Sequence, residues 1–208
     1  MAQSAIPQFS VPCVILAAGL SLRMGRPKAL LPLPCGDSFL TRIVRTLQAS
    51  HIARIAVVVG PCPAEIRAAL ASAKLEVEII ENPNHHAGQL SSLIAALSVM
   101  EGPNVDGLMV TLVDVPLVSI ETVRRIRDAY LRFRAPIVRP VKEERHGHPV
   151  IFDRSVFAEL RTADPSAGAK AVVRAHAHEV LEVTVDDEGA FLDIDTPEDY
   201  RRLIDSAR

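Results

Sequence analysis

The sequence has no tryptophan, and aromatic residues make up only 4% of its 208 positions. It also has no excess of charge of one sign, since 23 Lys and Arg residues face 25 Asp and Glu residues and the formal net charge is −2. Proteins that hold single-stranded nucleic acid use aromatic platforms and basic surfaces. The scarcity of both argues against a nucleic-acid partner, and the balanced charge gives no pull toward an anionic membrane.

Cysteine is scarce too, with three residues and no pair at CxxC spacing. An odd number of widely spaced cysteines predicts neither a disulfide framework nor a zinc site, and it favours a reducing cytoplasm. The first ten residues lack the basic and apolar segments of a signal peptide. No apolar run approaches the roughly 18 residues of a membrane span, so we expect a cytoplasmic protein with no membrane partner.

What is present is an aliphatic chain, 49% hydrophobic and 23% charged, whose length suits one domain. Short apolar runs predict buried parallel strands at 11–17, 54–60 and 107–113, with a further strand at 76–81. Segments with the apolar spacing of helices lie between them. This alternation predicts an α/β fold, three-layered and Rossmann-like, with a mostly parallel twisted sheet and helices on both faces.

The pattern changes after about residue 135. It predicts strands at 136–140, 147–152 and 180–185, helices at 153–160 and 166–178, and a last helix that begins at Thr196-Pro197. No Ser/Gly-rich linker or repeat divides the chain. We therefore predict a single domain over residues 8–208 that includes a small β-rich accessory portion.

The loop after the first strand carries the most informative residues. The small residues 17–19 (AAG) let a ligand approach the backbone, and free N–H groups there can cradle phosphate oxygens together with Ser21. Arg23 and Lys28 add two cations, a number that suits a polyphosphate. The spacing matches neither a Walker loop nor a GxGxxG dinucleotide fingerprint. From these residues alone, a glycine turn with solvated basic side chains remains the alternative.

Residues 16–28, LAAGLSLRMGRPK, resemble the LAAGxSxRMGxxK motif of nucleotidyltransferases with a glycosyltransferase-A-like fold. Among these, the chain is most similar to the MobA-like NTP transferases, in particular the molybdenum cofactor cytidylyltransferases and their guanylyltransferase relatives. Four later segments extend the resemblance over nearly the whole chain: GQLSSL at 88–93 resembles the base-binding turn, DVP at 114–116 the metal motif, GHP at 147–149 the acceptor motif and DIDTPED at 193–199 the closing motif.

The resemblance implies two neighbouring sites. The nucleotide site, in a part spanning about 11–118, would be formed by Leu16, Ala17, Ala18, Gly19, Ser21, Arg23, Lys28, Gly88, Gln89 and Ser91. The acceptor site, in a part spanning about 135–195, would be formed by Gly147, His148 and Pro149. Arg23, Lys28 and Asp114 would be the catalytic residues.

Three carboxylates are candidates for a metal site. Asp114 ends an apolar strand, so the fold would hold it at the same sheet edge as the first loop. Mg²⁺ binds through one or two carboxylates plus phosphates. Taken alone, this segment also fits a turn or helix-capping aspartate, and the resemblance favours the metal. Asp193 and Asp195 stand two apart and share a side in an extended segment. Either could complete the site, and a pair of surface carboxylates remains the alternative.

The histidines and the remaining basic residue give weaker signals. His85 and His86 are adjacent and face apart, so we expect both on the surface. His146 and His148 lack a third nearby ligand, so they do not predict a zinc site. Lys170 is expected to be a solvated helix lysine, and the cysteines to be core residues or loop thiols with no role as nucleophiles.

The implied reaction is the Mg²⁺-dependent transfer of a nucleotidyl group to a phosphate of a molybdopterin-type cofactor, with release of pyrophosphate. CMP from CTP is favoured because cytidylyltransferase relatives tend to carry LAAG where guanylyltransferases carry LAGG, and the methyl of Ala18 could shrink the base pocket. Val115 departs from the usual Asp-Gln-Pro and removes an amide from the expected site edge. This leaves open GTP as the donor, a sugar or alditol phosphate as the acceptor, and a non-catalytic nucleotide or pterin carrier. The resemblance also allows transient contact with a molybdoenzyme or its chaperone.

Overall fold

The computed structural model describes residues 11–19, 21, 24–60 and 63–206. Arg23, the third cysteine (Cys62) and the first ten residues lie outside these ranges. The strands within them are β1 (Cys13–Ala17), β2 (Ile55–Val59), β3 (Glu78–Glu81), β4 (Gly107–Leu112), β5 (Ile137–Lys142), β6 (Arg145–His146), β7 (Val150–Asp153) and β8 (Val180–Thr184). The α-helices are α1 (Phe39–Ala49), α2 (Pro63–Ser72), α3 (Gln89–Met100), α4 (Ile120–Phe133), α5 (Phe157–Thr162), α6 (Ala169–Ala175) and α7 (Pro197–Ser206).

All these strands belong to one mixed sheet with the order β3-β2-β1-β4-β7-β5-β6, and β8 pairs with β5. The first four run parallel to one another, and β8 runs parallel to β5. Strand β7 lies between β4 and β5 and is antiparallel to both, while β6 forms a hairpin with β5. The portion predicted as β-rich therefore continues the central sheet.

The apolar runs form strands because both of their faces are covered. Along β1, Cys13 and Ile15 pack in one core with α1, α2 and α4, whereas Val14 and Leu16 pack in a second core with α3, α5 and α6. Alternate side chains of a strand point to opposite faces, so one run supplies both cores. The structure confirms the predicted α/β fold, with a mostly parallel sheet between helical layers. Within the described ranges, no helix is long and apolar enough to cross a bilayer.

The sixth helix is shorter than predicted. The expected helix over 166–178 begins only at α6 because Asp164 folds the preceding residues into a turn, in which its side chain accepts from the N–H of Ser166 at 2.8 Å. Gly168 follows with φ +65°, a left-handed conformation that a helix cannot include.

The last helix begins where predicted and fixes the segment before it. The N–H of Asp199 donates to the Thr196 hydroxyl at 3.2 Å, and the N–H of Thr196 donates to the Asp199 carboxylate at 2.9 Å, which together form a capping box. The Tyr200 hydroxyl donates to the Pro32 carbonyl at 2.7 Å. Just before this helix, the N–H of Ile194 donates to the Asp114 carbonyl at 2.8 Å, so 193–195 lies beside the end of β4.

Candidate active site

A cavity of about 370 Å³ lies at the carboxyl ends of β1 and β4. It is lined by Leu16, Ala17, Ala18, Gly19, Ser21, Lys28, His85, Gly88, Gln89, Ser92, Leu112, Val113, Asp114 and Asp195. Most of the sequence-predicted nucleotide residues therefore meet in one place. This is the edge at which open α/β sheets bind ligands.

The loop after β1 is closed on itself around Ser21. The Ser21 hydroxyl accepts from the N–H of Lys28 at 3.2 Å and lies 3.5 Å from the Gly19 carbonyl. Ser21 itself has φ +49°, a left-handed conformation that is uncommon outside glycine. A Cβ added at Gly19 would meet open space, which leaves room over the backbone for a ligand.

Lys28 joins two carboxylates. Its ammonium group lies 3.1 Å from Asp114 Oδ2 and 2.6 Å from Asp195 Oδ1, with only 11% of the lysine side chain exposed. The other oxygen of Asp114, Oδ1, is buried and has no hydrogen-bond partner in the described part of the chain. A buried carboxylate oxygen without a partner is costly, and a cation relieves the cost.

These oxygens fit a divalent cation of the magnesium type. Asp114 and Asp195 supply hard oxygen donors at the edge of the cavity. Among the described residues, no group of three or more His, Cys, Asp or Glu side chains is placed to hold a metal ion. The arrangement thus suits an ion that completes its coordination with phosphate and water rather than an all-protein cage.

Asp193 lies near enough to Asp114 and Asp195 for their charges to act on it, but its position differs from that of Asp195. It does not line the cavity, whereas Asp195 does. Partial burial raises the pKa of Asp193, and the negative charges of Asp114 and Asp195 act in the same direction, against the cations of Lys28 and Lys170. Of the two alternatives left open above, the structure brings Asp195 to the cavity.

The turn before α3 forms the opposite wall. Gly88 has φ +92° and precedes the helix, and Gln89 begins it. Ser91, which was predicted to contact the nucleotide, does not line the cavity. Its hydroxyl lies within the turn instead, 2.7 Å from the Gly88 carbonyl and 2.9 Å from the Asn84 carbonyl. Ser92 lines the cavity in its place. Helical spacing could have indicated this, because Gln89 and Ser92 are three residues apart and share a face.

Two sequence expectations are corrected here. His85 is not a surface residue like His86, since it is half-buried and lines the cavity. Gly60 makes this possible, because a Cβ there would lie 3.1 Å from His85 Cγ. Val115 is fully buried in the protein core, so its departure from the family pattern removes no amide from the cavity.

A second cavity of about 700 Å³ adjoins the first and shares Leu16, Gln89 and Leu112 with it. Gly147 and His148 line it, whereas Pro149 is buried beside them and does not. Besides His148, its basic residues are Arg139, His146, Lys170 and Arg174, and sequence reasoning missed both arginines. Lys170 is exposed, as expected, and it also lines this cavity, which was not expected.

The acceptor-side histidine has an unusual environment. Burial lowers the pKa of His148, while a hydrogen bond to the Val110 backbone and the charge of Asp114 oppose that shift. Its Nδ1 is buried without a partner in the described residues. His146 instead pairs with Glu182 at 3.0 Å.

The described cysteines lie away from both cavities. Cys13 is buried in β1, and its burial raises the pKa of the thiol. Cys35 is exposed, and both are free thiols. Neither lines the first or the second cavity.

Three curated proteins are similar to this chain over most of its length. The molybdenum cofactor cytidylyltransferase of Escherichia coli (strain K12) is 29% identical over 191 residues, which cover 92% of this chain and 94% of the relative. Nicotine blue oxidoreductase of Paenarthrobacter nicotinovorans is 31% identical, with 93% and 98% covered. The molybdenum cofactor guanylyltransferase of Rhizobium meliloti (strain 1021) is 30% identical, with 92% and 89% covered.

Solved structures are also similar to this chain over most of its length. The protein Rv0371c from Mycobacterium tuberculosis H37Rv superposes with a TM-score of 0.80 at 32% identity, covering 94% of this chain and 98% of that one. Its complex with manganese superposes with a TM-score of 0.75 at 31% identity and the same coverage. The model of the MobA-like NTP transferase domain matches residues 13–180. The chain therefore belongs to the MobA-like NTP transferase family.

Proposed function

We propose that this chain is a metal-dependent nucleotidyltransferase that moves CMP from CTP to a phosphate of a molybdopterin-type cofactor and releases pyrophosphate. The observation that carries the proposal is the placement of Lys28 against Asp114 and Asp195 on the wall of the first cavity. A cation and two carboxylates beside a backbone of small residues suit a polyphosphate and its counterion.

The triphosphate would lie along the loop after β1. Ala17, Ala18, Gly19 and Ser21 line the cavity, and in this proposal backbone N–H groups of this loop donate to phosphate oxygens. Lys28 adds a positive charge that neutralises the leaving pyrophosphate. Arg23 belongs to the same loop, and its assignment as the second cation remains part of the proposal.

Asp114 and Asp195 would hold the divalent ion. Mg²⁺ bound there would neutralise phosphate charge and polarise the α-phosphate. The manganese complex of the relative from Mycobacterium tuberculosis supports a divalent ion in this family. Asp114 Oδ1 is buried without a hydrogen-bond partner in the described residues, and coordination to such an ion would give it one.

The chemistry is an in-line exchange at phosphorus. A phosphate oxygen of the acceptor forms a bond to the α-phosphorus, and the bond from that phosphorus to the bridging oxygen breaks, so pyrophosphate leaves with the electron pair. An anionic oxygen is already a nucleophile and requires no base. The contribution of the protein is therefore to position two anions and neutralise their charge.

The adjoining cavity supports a bulky, phosphorylated acceptor. At about 700 Å³ it is the larger of the two, and Lys170 and Arg174 on its wall can meet an acceptor phosphate. Gly147 and His148 form the opposite side in our proposal. The shared wall at Gln89 and Leu112 lets an acceptor reach a nucleotide in the first cavity.

The base choice depends on the size of the first cavity. Ala18 is buried at its wall, and its methyl group occupies space that a glycine would leave open. This supports CTP over GTP. Sequence identity does not decide between them, because the cytidylyltransferase and guanylyltransferase relatives are 29% and 30% identical.

The test is a panel of the four nucleoside triphosphates with Mg²⁺, each offered to molybdenum cofactor, a sugar 1-phosphate and an alditol phosphate. We expect pyrophosphate release with CTP and molybdenum cofactor. Pyrophosphate release with GTP alone would show that the donor is GTP rather than CTP. Pyrophosphate release only with another acceptor would show that the acceptor is not molybdenum cofactor. Nucleotide binding without pyrophosphate release would indicate a non-catalytic carrier.

Asp114→Asn tests the site itself. Loss of one charge that stabilises the transition state should lower the rate by about 10²–10³-fold and weaken the response to Mg²⁺. Asp205→Asn is the matched control, since Asp205 is exposed and lies outside both cavities. Full turnover with unchanged Mg²⁺ dependence in Asp114→Asn would show that this carboxylate is not a metal ligand.

A further inference from the structure

The first cavity has a charged side and an uncharged side. Lys28, Asp114 and Asp195 lie where β1 and β4 end. His85 lies beyond the other edge of β1, packed against Gly60 at the end of β2. The sheet order places β1 between β2 and β4, so the two sides are about 10 Å apart at the usual strand spacing. With phosphates on the charged side, the base of a nucleotide lies toward His85.

The ring of His85 is held from two directions. A Cβ at position 60 would lie 2.8 Å from the Ala18 carbonyl and 3.1 Å from His85 Cγ, so only glycine lets the ring sit beside the base wall. On the other side, His85 Nδ1 lies 3.3 Å from the Asn82 carbonyl. The position of the ring therefore does not depend on a ligand.

Asn82 makes this support rigid. It is 4% exposed, and its amide donates to the hydroxyls of Ser91 at 2.9 Å and Ser92 at 3.1 Å. Its side-chain oxygen accepts from the N–H of Asn84 at 2.9 Å. The turn that carries His85 is thus tied to the start of α3 by a buried, hydrogen-bonded side chain.

The contact with Asn82 favours one tautomer of His85. A carbonyl oxygen only accepts hydrogen bonds, so the tautomer that bonds to it carries its proton on Nδ1 and presents Nε2 as an acceptor. Within the described ranges, Nε2 of this half-buried residue makes no hydrogen bond. In this tautomer, Nε2 of His85 can accept a hydrogen bond from a ligand in the cavity, because no described residue donates to it.

We propose that His85 Nε2 accepts a hydrogen bond from the 4-amino group of a cytosine base and so selects CTP against UTP. Uracil carries an oxygen at the position of that amino group, and two acceptors facing each other repel. Ala18 limits the size of the base, and His85 distinguishes between the pyrimidines. This inference rests on the proposed nucleotide site and assigns the residue that reads the base.

Binding of CTP and UTP to the intact protein, measured by calorimetry with Mg²⁺ and no acceptor, tests the inference. We expect the wild-type protein to prefer CTP by about tenfold to a hundredfold, the value of one or two good hydrogen bonds to a base edge. His85→Phe keeps a ring against Gly60 but removes the acceptor, so the CTP preference should fall to about threefold or less. His86→Phe keeps an aromatic ring in edge contact with His85, at an exposed position, and should leave the preference unaltered.

A second variant separates hydrogen bonding from packing. His85→Gln supplies an amide that accepts from cytosine and donates to uracil, so it should bind both nucleotides with similar affinity. Thermal unfolding of each variant shows whether it is folded. A folded His85→Phe protein that keeps the wild-type preference would overturn the inference, as would a wild-type protein that binds UTP or GTP as tightly as CTP. Both of those outcomes leave nucleotidyl transfer intact. The proposal of nucleotidyl transfer itself fails only if no pair of donor and acceptor in the panel above releases pyrophosphate.

Discussion

At the scale of single residues, two glycines on the acceptor side mark the tightest packing near the site. A Cβ on Gly147 would overlap the Ala190 carbonyl, and a Cβ on Gly189 would overlap the Leu117 carbonyl. The stretch around residue 190 is therefore held between Gly147 and the loop that follows Asp114. The N–H of His148 adds a hydrogen bond to the Ala190 carbonyl at 2.9 Å.

Gly147→Ala should destabilise the protein by about 1–3 kcal/mol, because the overlap is with backbone that cannot rotate away. The measurement is the free energy of unfolding from a denaturant titration. Gly102→Ala is the control, since a Cβ there meets nothing within 4 Å. Equal stability of the two variants would mean that the 190 segment moves easily and does not support the acceptor side.

Several residues of the site could be predicted from the sequence, but the residues that pack beside them could not. Residues 16–19, Lys28 and Asp114 could be predicted because they follow apolar runs whose ends meet at one sheet edge. His85 could not, because its place depends on Gly60, which comes from a different strand. Val115 was misplaced for a related reason, since the turn after β4 directs its side chain into the core.

At the scale of elements, a histidine joins the two short helices beside the second cavity. His176 follows α6, and its Nε2 lies 2.9 Å from Glu159 of α5 while its Nδ1 lies 2.9 Å from Glu179. Hydrogen bonds to Glu159 and then Glu179 raise the pKa of His176 above its ordinary value of 6.5. The ring therefore connects α6, the helix that carries Lys170, to α5, and it does so more strongly when it is protonated.

His176→Gln should lower stability more at pH 5.5 than at pH 8.5. The folded-state pKa lies above the unfolded value, so the stabilisation is fully present below about pH 6.5 and disappears as the pH rises through the folded-state pKa. Unfolding by denaturant at the two pH values measures the difference. His178→Gln, at an exposed position nearby, should show no such dependence. A destabilisation that is the same at both pH values would assign His176 a packing role only.

The elements themselves were largely predictable, and their pairing was not. Apolar runs over 11–17, 54–60 and 107–113 became β1, β2 and β4 because such runs are stable where both faces are buried. The insertion of β7 between β4 and β5 has no local signal, because periodicity reports which faces are buried but not which strand lies alongside.

At the scale of the whole molecule, one sheet separates two cores that share every central strand. Ile151 of β7 is fully buried in the first core, and its neighbour Phe152 is buried in the second. Because β7 pairs with both β4 and β5, it joins the nucleotide side to the acceptor side. The two sides should therefore unfold together.

Ile151→Ala tests this coupling. We expect a loss of about 2–5 kcal/mol and a single calorimetric transition at a lower temperature. Val99→Ala, at a position that is 47% exposed, should change the stability by no more than about 0.5 kcal/mol. Two separated transitions in Ile151→Ala would show that the sides are independent units.

The position of β7 also has a consequence for synthesis of the chain on the ribosome. Strands β1, β2 and β3 have their partners once β4 has been made, but the other edge of β4 stays open while residues 113–149 emerge, because its neighbour there is β7. Strand β5 emerges earlier than β7 and lacks its place in the sheet during that interval. An apolar strand with a free edge pairs readily with other chains. The nascent protein is therefore most prone to aggregate, and most in need of a chaperone, between the completion of β4 and the arrival of β7.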